Sequence, residues 1–316
     1  MTGASRRVGV VGLGAISKYY LHAIDELPGW ELTAVCDVRK SALAPHLDRT
    51  PCFQDHRTML RESEVDAVVV TVPNDVHAAV CGDALRQGIP VCVEKPLAVS
   101  LSDGLDLARL SRAAGVPLFT AFHRRYNDNV LHLLDQARHR ADITSLKVRY
   151  LELIEEHIGN DTWYLDLRRC GGGCVADNGP NAFDLVRLFL GDVEVARANV
   201  TRDAHGTDRQ AVVELRSAAG VPATVELDWS HPGETKDVEV LFADGTRLAA
   251  DMLAGHDGFK SSLWHEYFGI LNDFAAAITA EPTTTDGGLA ALELVDATYR
   301  AELSEPSERR LIEHRL

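Results

Sequence analysis

The 316-residue sequence holds no apolar run long enough to cross a bilayer, and Met1 to Arg7 lead straight into a strand-like segment without a signal-peptide core. No membrane partner is expected. Basic charge is also in deficit. The formal net charge of −15 argues against nucleic acid or an anionic membrane surface as partner and reads as a solubilising surface. Internal repeats and low-complexity tracts are lacking. The six cysteines (Cys36, Cys52, Cys81, Cys92, Cys170 and Cys174) are scattered. Cys170 and Cys174 stand too far apart for a CxxC pair, and no second pair matches them. That excludes a disulfide framework and gives no metal site, so reduced, mostly buried thiols in the cytoplasm are expected. With 46% hydrophobic and 25% charged residues, the chain has an ordinary globular composition and length for two domains.

What the sequence does contain begins at Arg7. Val8 to Val11 is an apolar, β-branched run suited to a strand buried on both faces. Gly12-x-Gly14-x-x-Ser17 then turns into an amphipathic helix ending before Pro28-Gly29. Gly12 permits the sharp turn, and Gly14 has no Cβ to block a pyrophosphate approaching the backbone. Ser17 meets the need for a small third residue. Free N–H groups at the helix end hold phosphates. Glu31 to Cys36 reads as a second strand ending at Asp37, twenty positions after Ser17, where a carboxylate accepts hydrogen bonds from the adenosine ribose. An ordinary strand–helix turn with a solvated aspartate is the plainer alternative, but strand, turn, helix and acid fall in register for a dinucleotide.

Strand and helix patterns keep alternating to about residue 122. Asp66 to Val72 is a core strand stopped by Pro73, followed by a helix over Val76 to Gln87. Pro90 to Glu94 is the next strand, then a helix over Leu101 to Ala114 and a strand at Leu118 to Phe122. The expected fold is α/β: a Rossmann dinucleotide-binding domain over 1–122, a doubly wound parallel sheet with ligands at the carboxyl ends of its strands. After Phe122 the texture changes. A helix over Asn129 to Arg140 precedes strands at Ser145–Leu153, Val193–Arg202, Gln210–Arg216, Pro222–Trp229, Lys236–Ala243 and Thr246–Asp251, with turns such as Ala243-Asp244-Gly245-Thr246. Helices are expected at Val175–Leu190, Leu263–Thr279 and Gly287–Leu303, with Glu281 to Asp286 as a capped loop into the last. Residues 123–316 thus read as an α+β domain with a mainly antiparallel, open-faced sheet for substrate binding and oligomerisation.

Two further motifs carry chemistry. Glu94-Lys95-Pro96-Leu97 ends a strand and projects Lys95 towards the crevice where a nicotinamide would lie, although a lone loop lysine is more often a solvated charge. In Cys170-Gly-Gly-Gly-Cys174-Val-Ala-Asp177-Asn-Gly-Pro-Asn181-Ala-Phe-Asp184, three glycines allow close backbone approach. Asp177, Asn181 and Asp184 follow at helical spacing on one face. A site facing a crevice and a solvated helix face fit these residues equally.

Taken together in order, Gly12-Leu-Gly14-Ala-Ile16-Ser17, Thr71-Val-Pro73-Asn74-Asp-Val-His77, Glu94-Lys95-Pro96, Phe122-His-Arg124-Arg125-Tyr126-Asn127, the Gly171 to Asp184 run and the closing Ala290 to Ala297 helix resemble the glucose–fructose oxidoreductase / inositol dehydrogenase / MocA family over essentially the whole chain. The resemblance implies an NAD(P)-dependent dehydrogenase or reductase acting on a sugar, aminosugar or cyclitol, and a homodimer or homotetramer. It implies cofactor contacts at Gly12, Gly14, Ala15, Ile16, Asp37, Pro73, Asn74, His77, Glu94 and Lys95. Catalytic positions fall on Lys95, Asp177 and Asn181, and substrate contacts on these three with Arg124 and Tyr126. Asp37 favours NAD(H), because its charge repels the extra phosphate of NADP(H); Arg39 and Lys40 close behind keep NADP(H) as the alternative.

One position departs from the family's pattern. Asn181 stands where the family commonly carries a histidine as acid/base, and an amide cannot shuttle a proton near neutral pH. Lys95, its pKa lowered by desolvation or a positive nicotinamide, is then the leading proton carrier, with His123, His157, Tyr126 and Tyr164 as unranked alternatives. Asn181 also leaves open a non-redox member, either a ligand-sensing regulator or a glycosidase with a transient redox step.

Overall fold

The computed structural model describes residues 5–140, 142–159, 162–280 and 287–304. The expected capped loop at 281–286 lies outside them. Strands β1 (Arg6–Val11), β2 (Trp30–Cys36), β3 (Cys52–Phe53), β4 (Ala67–Val70), β5 (Val91–Glu94) and β6 (Leu118–Ala121) form one sheet in the order β3-β2-β1-β4-β5-β6. All its pairings are parallel. Val8, Val10 and Val68 to Val70 are fully buried, as strands covered on both faces require. The order reverses between β1 and β4, and there the strand ends open into a crevice.

The second sheet follows from β7 (Ile143–Leu153), β8 (Val193–Arg202), β9 (Asp208–Ser217), β10 (Pro222–Asp228), β11 (Ser230–Phe242) and β12 (Arg247–Asp251), in the order β12-β11-β7-β10-β9-β8. It is mainly antiparallel, with β7 and β10 as its one parallel pair. Alternation assigns its faces. Leu146, Val148 and Tyr150 of β7 turn inward with Val225 and Leu227 of β10 and Val238, Val240 and Phe242 of β11. Helix Gly179–Leu190 covers that face through Phe183 and Val186. The opposite face carries ion pairs such as Lys147–Glu226 (2.6 Å) and Arg149–Asp237.

Two helices from beyond residue 122 pack against the first unit. Helix Trp264–Thr279 returns to the first sheet, where Tyr267, Ile270, Leu271 and Phe274 join the core of Val8, Val10 and Tyr20. Phe274 stacks on Trp30 with ring centroids 5.6 Å apart. Helix Gly287–Ser304 packs against β8 and against the first unit's helix Leu101–Ala114. Each unit therefore buries apolar surface on the other beside the crevice between them. Among the described residues no helix is long and apolar enough to cross a membrane.

Candidate active site

A cavity of about 840 Å³ runs from the carboxyl ends of β1, β2 and β4 to the inner face of the second sheet. At its outer end Gly12 has φ +96°, and a Cβ there would lie 2.7 Å from the Thr71 carbonyl, so only glycine fits the turn. A Cβ on Gly14 would meet nothing within 4 Å: its backbone faces open space. Ser17 Oγ donates to the Gly14 carbonyl (2.8 Å), closing the turn into helix Ser17–Glu26. Asp37 follows β2 and lines the same space. Its carboxylate accepts from the Leu13 N–H (2.8 Å), the Arg39 N–H (2.8 Å) and the Arg39 guanidinium (3.0 and 3.1 Å). Burial pushes this carboxyl up, but the hydrogen bonds from Arg39 and Leu13 outweigh it and hold the pKa below the ordinary value. Open glycine backbone, a helix start and a buried carboxylate along one wall are the donor and acceptor set a dinucleotide requires.

Deeper in, Lys95 leaves β5 and its ammonium donates to Asp177 Oδ1 (2.6 Å) and to the Asp177 carbonyl (3.1 Å). Burial lowers the Lys95 pKa, yet Asp177 and the neighbouring Glu94 reverse that and leave it raised, contrary to the expectation from desolvation alone. Glu94 lies beneath, accepting from Tyr20 Oη (2.9 Å) and Tyr267 Oη (3.1 Å), and burial pushes it up to about 7. His77 spans the carbonyl oxygens of Pro96 (2.7 Å) and Val72 (2.9 Å), tying the lysine loop to the end of β4. Asn74 Nδ2 donates to the Cys170 carbonyl (3.1 Å), so the glycine-rich segment docks on the first unit. That segment is held by Asp208, which accepts from the Gly173 N–H (2.7 Å) and the Val175 N–H (2.8 Å). A Cβ on Gly173 would sit 2.1 Å from the Asp208 carbonyl oxygen, so the close approach needs glycine.

Beside Asp177 lies a buried polar group. Asn181 Nδ2 is 3.2 Å from His123 Nε2, and His123 Nδ1 is 2.5 Å from Glu266 Oε2. Glu266 also accepts from Arg124 Nη1 (2.8 Å) and Asn127 Nδ2 (2.8 Å). Burial pushes its carboxyl up, but Arg124 and His123 pull it down to about 2. Burial lowers His123 to about 4, so its ring is neutral at neutral pH. Asn181 Oδ1 is buried without a hydrogen-bond partner. The far wall comes from the second sheet. Glu152 accepts from Lys236 Nζ (2.6 Å) and Asn178 Nδ2 (2.8 Å), and Lys236 also bonds Glu234. His157 lies 3.8 Å from Glu152. Trp163 and Tyr164 stack beside them with centroids 3.9 Å apart.

All the cofactor residues read from the sequence line this cavity, as do Lys95, Asp177 and Asn181. Arg124 and Tyr126, expected as substrate contacts, are not among the residues that line it. Arg124 is fully buried behind the wall, bonded to Glu266 and to Ser262 Oγ (3.0 Å), and Tyr126 Oη donates to Asp273 (2.7 Å) against helix Trp264–Thr279. Asp184, one turn beyond Asn181, is absorbed by a two-point bond from Arg125 (2.9 and 2.6 Å) rather than facing the crevice. Sequence reasoning missed Tyr150, Glu152, Lys236, Phe259 and Tyr267 on the wall. For Glu152 and Lys236 a signal existed: each shares its strand parity with buried apolar residues, Leu146-Val148-Tyr150 and Val238-Val240-Phe242, so both had to point inward.

Residues 6–122 match the family described as "Oxidoreductase family, NAD-binding Rossmann fold", and residues 141–247 match "GFO/IDH/MocA C-terminal domain". A myo-inositol 2-dehydrogenase from Thermotoga maritima is 26% identical over 279 residues, covering 83% of this chain and 82% of its own. A D-xylose 1-dehydrogenase (NADP⁺) from Haloferax volcanii is 28% identical over 249 residues, covering 77% and 74%. The crystal structure of GenD2 from gentamicin A biosynthesis, solved with NAD, superposes with a TM-score of 0.84 over 96% of each chain at 22% identity, a likeness of fold.

Proposed function

The chain belongs to the GFO/IDH/MocA family of NAD-binding oxidoreductases, and on that premise we propose that it moves a hydride between a nicotinamide cofactor and a hydroxyl-bearing carbon of a sugar, aminosugar or cyclitol. One observation carries the reading: the Lys95–Asp177 pair stands in the same cavity as the Gly14 backbone and Asp37, between the nucleotide end and a wall of hydrogen-bonding groups. When bound, the nicotinamide supplies the hydride acceptor for oxidation and the donor for reduction. The Gly12–Gly14 backbone and the helix start would hold the pyrophosphate, and Asp37 the adenosine ribose. The Lys95 ammonium, fixed by Asp177, is a donor for the reacting oxygen and stabilises negative charge on it. Glu152, Lys236, Asn178 and His157 offer donors and acceptors to the remaining hydroxyls, and the Trp163–Tyr164 stack an apolar surface for a ring.

The Asp37 charge supports NAD(H) over NADP(H), with Arg39 against it as the residue that would admit the extra phosphate. Free cysteines throughout, five of six buried, support a reducing cytoplasm. The exposed face of the second sheet is a surface for a homodimer or homotetramer; a monomeric mass in light scattering at micromolar concentration would contradict that. The functional test is reduction of NAD⁺, followed by absorbance, with myo-inositol, D-xylose and glucosamine. Cofactor binding without turnover of related polyols would favour a sensor or a glycosidase with transient redox.

A further inference from the structure

Oxidation of a carbinol releases a proton as well as a hydride, and a side chain at the site must take that proton. Asn181 cannot. Lys95 is engaged by Asp177 through both its carboxylate and its carbonyl, which favours the ammonium. A third group meets the same place from a different element. His123 follows β6, lines the cavity, and puts Nε2 3.2 Å from the Asn181 amide. Its other nitrogen faces the buried Glu266 carboxylate, which fixes the proton on Nδ1 and leaves the Nε2 lone pair towards Asn181 and the cavity. A histidine with a carboxylate behind one nitrogen and an unprotonated second nitrogen, here accepting from the Asn181 amide, is the arrangement of a general base.

We infer that His123, backed by Glu266, exchanges the proton of the reacting hydroxyl, replacing in space the imidazole that position 181 lacks. This rests on the hydride-transfer reading above. As the carbinol C–H bond gives its hydride to the oxidised nicotinamide, the O–H bond breaks and its proton forms the Nε2–H bond of His123. The ketone remains, and Glu266 balances the imidazolium; reduction runs the reverse. Asn181 then holds Nε2 between turnovers, and Lys95 holds the oxygen without changing protonation. The charged and titratable groups facing the ring are Glu266 and Tyr267 from helix Trp264–Thr279, the adjacent Arg124, and Lys95.

The full-length protein tests this in three ways. In the cofactor-free state, ¹⁵N resonances should show His123 protonated at Nδ1 and bare at Nε2 at neutral pH; the opposite tautomer overturns the inference. In wild-type oxidation of whichever of myo-inositol, D-xylose or glucosamine is turned over, kcat should be level through neutrality and fall only in acid, as the ring becomes charged. A kcat that climbs throughout the alkaline range would assign the proton to Lys95 instead. His123→Gln, which can still donate to Glu266, should lower kcat about a hundredfold with NAD⁺ affinity unchanged, and added imidazole should partly restore His123→Ala. Wild-type kcat in His123→Gln overturns the inference. Should these variants not fold, the tautomer and the wild-type profile decide. Absence of turnover of the whole panel by wild type would instead overturn the hydride reading itself.

Discussion

The Lys95 ammonium lies 2.6 Å from Asp177 Oδ1, a bond that joins the loop after β5 of one unit to the glycine-rich segment of the other. Both side chains are largely buried, at 14% and 6% exposure, so the pair is held in low dielectric where removal of one partner strands the other. Lys95→Ala should therefore lower kcat by about a hundredfold or more while NADH binding changes little. Asn181→Ala removes only a hydrogen bond between neutral groups, about 0.5–1.5 kcal/mol, and should cost about tenfold or less. Steady-state kinetics with fluorescence titration of NADH checks the order. A larger loss in Asn181→Ala would contradict it.

Asp37 sets the cofactor preference through charge. Wild type should bind NADH more tightly than NADPH, and Asp37→Ser should narrow or invert the ratio, because the carboxylate that repels an extra phosphate is gone while the Arg39 guanidinium still stands beside that position. Calorimetric titration of both nucleotides into both proteins measures this. Tighter NADPH binding by wild type would contradict the assignment.

Two glycines separate binding from folding. Gly14→Ala meets nothing within 4 Å, so the melting temperature should hold while NADH affinity falls, the new methyl occupying phosphate space. Gly173→Ala drives a Cβ into the Asp208 carbonyl at 2.1 Å and should lower the melting temperature as well as kcat. Thermal scans with and without NADH distinguish the two.

The buried charge group gives a signed pH dependence. Glu266 is held down to about 2 from 4.5, so its stabilising contribution is complete above pH 4.5 and is lost as pH falls towards 2. His123 is held down to about 4 from 6.5; the fold prefers the neutral ring, and protonation costs stability as pH falls from 6.5 to 4. Glu94, raised from 4.5 to about 7, acts in the opposite sense, stabilising as pH falls from 7 to 4.5. His123 and Glu94 therefore offset each other between about pH 6.5 and 4.5, and the melting temperature should drop steeply only below pH 4.5. Glu266→Gln should flatten that drop. An unchanged acid slope in the variant would contradict the account.

Much of this was legible in the sequence because it is written locally. The Gly12 turn, Asp37 at the end of β2 and Lys95 at the end of β5 are fixed by strand boundaries and turn residues, and the second sheet's strands by alternation. What escaped is long-range. Glu266 and Tyr267 reach the site only because helix Trp264–Thr279 folds back onto the first sheet across more than half of the chain, which no local pattern encodes. Arg124 and Tyr126 sit beside the cavity in sequence but point behind its wall, since which face of a short helical turn meets solvent depends on the elements packed against it. The Lys95 pKa was misjudged for the same reason: burial was foreseeable from position, but the neighbouring carboxylate that outweighs it comes from residue 177.

Direct transfer of hydrogen between substrate carbon and cofactor is the claim on which the rest depends. Incubating the protein with NAD⁺ and C-deuterated myo-inositol or D-xylose, and reading the mass of the recovered nicotinamide, tests it most directly. The account predicts NADH carrying the substrate deuterium, transferred as deuteride and formed in step with the ketone or lactone product. Unlabelled cofactor alongside consumed sugar, or labelled carbon that regains its deuterium with no net NADH, would contradict it.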